Sequence, residues 1–209
     1  MTLPELNITV FSDYVCPFCY VGHHRLMRLR DTYDLKINWC FLEIHPENDA
    51  LGEPVASLQY SAQHWQQLLR NLNQLAREEA IPLADITLTT HSRDALLLAE
   101  AAKSLGRDRF YRLHEALFAA LFVEGKNIGD RELLKALCLQ CGIDAAFADA
   151  AWQDRRHAHR LASNFSLARR YRIESVPSFV FGERVLSGVV SEQRMRQAAR
   201  QALQQPAPA

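Results

Sequence analysis

The stretch that most constrains this chain is Cys16-Pro17-Phe18-Cys19. It follows an apolar run, Ile8-Thr9-Val10-Phe11, and opens a segment that reads as a helix from Pro17 to about Tyr33. A cysteine pair with CxxC spacing at a strand-to-helix junction is first of all a redox signature. A helix start carries backbone N–H groups without partners and partial positive charge, so it stabilises a thiolate placed there. Pro17 suits the first helical position, because its φ fits the helix and its missing N–H has no partner to lose. Two core cysteines, or half of a zinc site, are the competing readings of the same pair.

The flanking sequence places this pair in an architecture. Lys36 to Leu42 partly alternates, as a half-buried strand does, and completes a βαβ unit, normally a right-handed parallel crossover. A turn-rich loop follows, with Pro46, Asn48, Asp49, Gly52 and Pro54, and no strand-like run then occurs before Ser178. Helical spacing takes over. It links Trp65, Leu68, Leu69, Leu72, Leu75 and Ala76, and then Ala95 to Leu105 up to a stop at Gly106. Behind an Asp108 cap it continues through Phe110, Leu113, Leu117, Phe118, Leu121 and Phe122. Asp130 caps a stripe of Leu133, Leu134, Leu137, Cys138 and Cys141, and Asp144 a short helix through Trp152. A longer helix runs from about Asp154 to Arg170, with Ala158, Leu161, Phe165 and Ala168 turned inward. β character returns at Ser178–Phe181, and Gly182-Glu183 before Arg184-Val185-Leu186 fits a type II′ hairpin. A last helix runs from Ser191 to about Gln204, and the tail after it is expected to fray. Strands at both ends and helices between them predict an α/β fold. Residues 1–43 and 171–209 form a discontinuous sheet domain, and residues 44–170 form a helical domain inserted into it.

Two segments resemble a known family. Ser12-Asp13-Tyr14-Val15-Cys16-Pro17-Phe18-Cys19-Tyr20-Val21-Gly22 is similar to the opening motif of FrnE-type members of the DsbA-like branch of the thioredoxin superfamily. Val176-Pro177-Ser178-Phe179-Val180-Phe181 resembles the proline-loop segment of the same group. The likeness extends over nearly the whole chain, with its specificity in those two segments. It implies a thioredoxin-like fold with an inserted all-helical domain, and thiol–disulfide oxidoreductase activity. By position it makes Cys16 the nucleophilic thiol and Cys19 the resolving thiol. Pro177 becomes the cis-proline that faces the CxxC, and Val176 the residue whose backbone pairs with an extended substrate. Phe18 stands where DsbA has a histidine, so no imidazolium adjoins the thiols. Ser187-Gly188-Val189-Val190 is apolar where FrnE-type proteins tend to be polar. Relatives that use glutathione on this fold, the kappa-class transferases and chromene-carboxylate isomerases, typically have serine at the position of Cys16.

Other residues invite chemistry, each with a plainer reading beside it. Cys138 and Cys141 form a second CxxC, but both lie on the apolar stripe with Leu134 and Leu137. Core filling fits that placement better than an auxiliary redox pair, and four-thiolate zinc with Cys16 and Cys19 fits least. Cys40 reads as a core residue. Asp13 either bonds the backbone of the active-site turn or moves a proton to and from Cys19, and Asp in turns favours the first. His23 and His24 read as solvated, His114 as a hydrogen-bonded core histidine, and His157 and His159 share no helix face. Tyr14, Phe18 and Tyr20 would give the site an apolar rim suited to peptide substrates.

Totals narrow the function. Lys and Arg number 24, as do Asp and Glu, so neither nucleic acid nor an anionic membrane surface is expected as the main partner. No basic-then-apolar leader is visible, and no run nears the ~18 apolar residues of a membrane span, which points to the cytoplasm. Five cysteines in a reducing compartment do not read as a disulfide framework. The expectation is an oxidoreductase without metal or bound cofactor, acting on thiol- or disulfide-containing proteins or peptides, with glutathione as a candidate co-substrate. The rivals are a glutathione-dependent isomerase or transferase for an aromatic small molecule, and a redox-sensing adaptor without catalysis.

Overall fold

The structure is a computed structural model and describes residues 2–58 and 60–204. A four-stranded mixed sheet joins the two ends of the chain. β1 (Glu5–Ser12) pairs in parallel with β2 (Asp34–Phe41) across helix α1 (Pro17–Met27), as a βαβ crossover requires. On its other side β1 runs antiparallel to β5 (Ser178–Phe181), which turns through Gly182 into β6 (Arg184–Ser187). The order β2-β1-β5-β6 is that of the expected thioredoxin-like sheet. Gly182 has φ 59° and Glu183 does not share its positive sign, which is the backbone of the type II′ turn.

Between the two halves lie β3 (Glu53–Pro54), α2 (Ala62–Glu78), β4 (Leu88–Thr89) and the helices α3 (Arg93–Ala102), α4 (Arg107–Phe122), α5 (Arg131–Gln140), α6 (Ala145–Gln153) and α7 (Arg155–Arg170). α8 (Glu192–Gln204) closes the described chain. The fold is therefore mixed α/β with a helical insertion that includes α3–α7. β3 and β4 pair as a two-residue ladder inside the helical stretch, which the sequence reading treated as free of strands. The caps expected at Asp130 and Asp144 are present, and Asp154 supplies a third. The carboxylates of Asp130, Asp144 and Asp154 accept the N–H of Glu132, Ala146 and Arg156, each at 2.9 Å. The cap of α4 differs: its N-cap is Gly106, with φ 88°, and Asp108 sits in the first turn, where its charge suits the helix dipole.

Alternation along β1 sends Leu6, Ile8 and Val10 into the main core, to which α1 and α8 also contribute, and Phe11 into a smaller cluster. That second cluster holds Cys40, Leu42, Val180 and Ala168 of α7. α7 buries only a narrow stripe, Leu161, Asn164 and Ala168, so Phe165 is 39% exposed rather than turned inward. Cys138 and Cys141 lie within the main core.

The open edge of β2 is tied down by polar side chains of the insertion. Lys103 Nζ donates to Trp39 O at 2.6 Å and to Glu100 at 2.7 Å. Asn164 Nδ2 donates to Phe41 O at 3.1 Å and to the other Glu100 oxygen at 3.0 Å. These bonds satisfy edge carbonyls and a buried carboxylate together. On the opposite side, buried Arg25 of α1 bonds Glu79 at the end of α2, at 2.7 Å, and Val190 O ahead of α8, at 3.0 Å. No helix among the described residues is long and apolar enough to cross a membrane.

Candidate active site

Strand β1 ends at Ser12, and after three intervening residues Cys16 occupies the N-cap of α1 in an extended conformation, with Pro17 at the first helical position. Its carbonyl accepts the N–H of Cys19 at 2.9 Å and of Tyr20 at 3.3 Å, so the first turn holds both sulfurs on one side of the helix start. The Cys16 thiol points across to the other sequence segment and donates to Val176 O, with Sγ and oxygen 3.7 Å apart. The Val176–Pro177 peptide bond is cis. Residues 160 positions apart thus form the two walls of one site.

Gly22 makes that approach feasible. A Cβ there would lie 3.0 Å from Phe179 Cζ and 3.2 Å from Pro177 Cγ, closer than ordinary van der Waals contact. The absent side chain lets α1 lie directly against the Pro177 wall. Cys19 is deeper. Burial, with a hydrogen bond to and the charge of Cys16, pushes its thiol well above the usual range. The Ser12 hydroxyl and the Asp13 main chain oppose that shift without cancelling it.

Asp13 is fully buried beside the pair. Its Oδ2 accepts the Ile44 N–H at 2.8 Å and the Ser92 hydroxyl at 3.1 Å, and Oδ1 accepts the Val15 N–H at 3.4 Å. The backbone role expected of it is present, and it reaches further than the turn itself, to the start of α3. Burial raises its pKa to about 6 against those bonds, with the Glu43 charge adding to the rise.

Two of the three rim aromatics are not on the rim. Tyr14 is fully buried, with its ring 4.8 Å from Phe118 and its hydroxyl 2.6 Å from His114 Nδ1. It offers no surface to a substrate and instead joins the active-site turn to α4. Tyr20 is buried too, with its ring stacked on Phe122 and its hydroxyl donating to Pro82 O at 3.2 Å. Phe18 alone stays half-exposed beside Cys16. His23 is buried rather than solvated, 4.8 Å from the His114 ring, and burial lowers its pKa to about 3. His114 is the hydrogen-bonded core histidine expected of it.

A cavity of about 120 Å³ opens next to Cys16 and Phe18, walled by Trp65, Leu68, Leu88 and Phe122 of the insertion. The sequence reading did not connect these residues with the site. In the sequence, Trp65 and Leu68 show only as an apolar stripe on α2, and Phe122 only as the end of the stripe on α4.

Residues 7–200 match the family model described as the DSBA-like thioredoxin domain. The chain belongs to that family. YwbO of Bacillus subtilis is 26% identical to this DSBA-like protein over 192 residues, which are 90% of this chain and 92% of YwbO. Among solved structures, the probable DsbA oxidoreductase SCO1869 from Streptomyces coelicolor superposes with a TM-score of 0.85 at 24% identity, covering 98% of this chain and 93% of that one. The cytosolic disulfide reductase DsbM from Pseudomonas aeruginosa, solved with GSH, has a TM-score of 0.69 at 18% identity, covering 95% and 98%. At these identities the likeness to the two structures shows the fold. The DSBA-like thioredoxin domain brings Cys16, Cys19, Val176 and Pro177 into one site and leaves Tyr14 out of its surface.

Proposed function

We propose that this DSBA-like protein is a thiol–disulfide oxidoreductase that works through Cys16 and Cys19. The observation that carries the reading is the placement of Cys16 at the N-cap of α1, its thiol facing Val176 O at 3.7 Å, with Cys19 buried behind it. A helix start favours the thiolate form of the group it presents. In the reducing direction the Cys16 thiolate attacks one sulfur of a substrate disulfide. A Cys16–substrate disulfide forms, and the other substrate sulfur leaves as a thiolate and takes up a proton. Cys19 then gives up its proton and attacks the Cys16 sulfur, which releases the second substrate thiol. Two electrons pass from the dithiol to the substrate, and two equivalents of a small thiol such as glutathione reset the pair. Oxidation of a substrate dithiol is the same sequence reversed.

Val176 and Pro177 form the wall along which an extended substrate would lie, and Phe18 offers the apolar contact. The substrates are thiol- or disulfide-containing proteins or peptides in a reducing, cytoplasmic setting. The similarity of residues 12–22 to the FrnE-type opening motif supports that subtype, and residues 44–170 serve as its inserted domain. No metal takes part. Reduction of insulin disulfides with glutathione as reductant tests the reading. Cys16→Ser should abolish turnover, and Cys19→Ser should trap the mixed disulfide, visible by mass spectrometry. Full activity in Cys16→Ser would sink the proposal.

A further inference from the structure

We infer that the exposed face of α7 is a docking surface for an acidic segment of a protein substrate. That the docked protein is a substrate rests on the oxidoreductase reading; the charge complementarity does not. The chain as a whole balances 24 Lys and Arg against 24 Asp and Glu, yet from Arg155 to Arg172 stand six arginines, two histidines and no Asp or Glu. All six arginines are exposed. Among the described residues only Arg156 of the six has a carboxylate partner, Asp154 at 2.7 Å.

Helix stability does not account for this arrangement. Arg169 and Arg170 close α7, where cations suit the helix dipole, but Arg155 and Arg156 open it, where carboxylates do. The Asp154 cap engages Arg156, and no acidic residue stands in the first turn to offset Arg155. Arg156 and Arg160, four positions apart, are like charges on adjacent turns and lower stability further. Other helices mix their signs: α8 joins Glu192 to Arg196 at 2.7 Å, and α5 joins Glu132 to Lys135 at 3.3 Å. Cations held against a helix's own electrostatics point to an anion outside the chain.

The layout gives the partner its form. With about 3.6 residues per turn, Arg155, His159, Ser166, Arg169 and Arg170 share one arc, opposite the buried Leu161, Asn164 and Ala168. Arg155 and Arg169 stand about 21 Å apart along the axis, a span that about six or seven residues of extended chain cover. Between the two clusters the face presents Ala162, Ser163 and Ser166, without a cation. A phosphate backbone, charged along its whole length, would leave that middle unmatched, and a membrane would call for apolar side chains there. A cleft of about 580 Å³ runs beside the first cluster, with Arg156, His157 and Arg160 along it. Its two carboxylates are already engaged, Glu100 by Lys103 and Asp154 by Arg156, each at 2.7 Å, which leaves Arg160 to receive one from outside. At the other end, Arg172 is four residues from Val176, so the basic face stops within about 14 Å of the wall opposite Cys16.

The test uses the full chain and fluorescein-labelled peptides of about twelve residues, alternating Ser with Glu, Gln or Lys. Binding is read by fluorescence anisotropy. At low salt the Glu peptide should bind about tenfold or more tightly than the Gln peptide, the Lys peptide should bind least, and about 0.5 M NaCl should erase the margin. Arg155→Gln/Arg169→Gln/Arg170→Gln should erase it too. Arg77→Gln/Arg194→Gln/Arg200→Gln removes the same charge from exposed positions elsewhere and should keep it. Turnover is read on Glu-Ser and Gln-Ser peptides that carry one cysteine as a mixed disulfide with cysteamine, and kcat/KM should favour the Glu series by a similar factor. Equal binding of Glu and Gln peptides to the unaltered protein would overturn the docking surface, and so would equal losses in the two triple variants. Tighter binding to duplex DNA or to phosphatidylglycerol vesicles than to the Glu peptide would overturn the choice of partner. If neither these peptides nor hydroxyethyl disulfide is turned over, the oxidoreductase reading falls, and the anisotropy alone decides whether the acidic segment docks.

Discussion

Two buried side chains near the thiols pull pH dependence in opposite directions. Asp13 has a pKa near 6 in the folded chain against 3.8 in the unfolded one. Between those values the native state keeps a proton that the unfolded chain has lost. Asp13 therefore removes stability as pH rises through that window, by up to about 3 kcal/mol. His23 behaves the other way. Its pKa is near 3 folded and 6.5 unfolded, so the unfolded chain binds the extra proton and stability falls as pH drops from about 6.5. Urea unfolding at pH 4, 5, 6 and 7 separates the two. Asp13→Asn should lose the alkaline-going decline between pH 4 and 6, and His23→Phe should lose part of the acid-going one. An unchanged slope in Asp13→Asn would mean that the carboxyl is ionised throughout. Neither effect was legible in the sequence. Tyr14 looks like a rim residue of the loop before α1, and His23 like a solvent-facing residue of that helix, until α4, about a hundred positions later, packs over them with His114 and Phe118. A burial created by so distant a segment leaves no local trace.

Elements were legible where their signals are local. The Asp caps of α5 and α6 depend on two or three neighbouring residues, and the structure shows them as read; the Asp154 cap of α7 rests on an equally local contact. The inward position of Phe165 failed because helical spacing does not say how wide the buried stripe is. β3 and β4 escaped because two residues are too few for alternation to appear. Helix ends carry a further consequence. Just past the end of α2, Ala80 has φ 52°, and the Ile81 N–H reaches back to Ala76 O at 2.9 Å. An alanine pays a steric cost in that left-handed region that glycine avoids. Ala80→Gly should raise stability by about 0.5–1 kcal/mol in thermal unfolding, after the larger entropy of the unfolded glycine is subtracted. Gly142, at the end of α5 with φ 71° and no atom near its missing Cβ, sets the contrast. Gly142→Ala should cost about 1 kcal/mol through backbone strain alone. Equal and opposite results would overturn the assignment of strain to these two positions.

At the scale of the whole molecule, the discontinuous sheet was legible because CPFC and Val176-Pro177 mark its two halves, and the antiparallel pairing of β1 with β5 unites them. The contribution of the insertion to the site was not. Trp65, Leu88 and Phe122 belong to three separate elements, and no spacing rule links them to Cys16. What joins sheet and helices at the site is the Asp13 carboxyl, which holds Ile44 and Ser92 at once. This has a consequence for solvent exchange. Ile44 lies outside every helix and strand, and loop amides ordinarily trade hydrogen for deuterium fast. Its N–H is bound to Asp13 at 2.8 Å, so it should exchange about ten- to a hundredfold more slowly than amides of the neighbouring loop. In Asp13→Ala it should exchange at their rate. If it already does so in the unaltered protein, the carboxyl does not hold the joint. One loop amide is then a deuterium clock for how often the helical layer lifts away from the thiols.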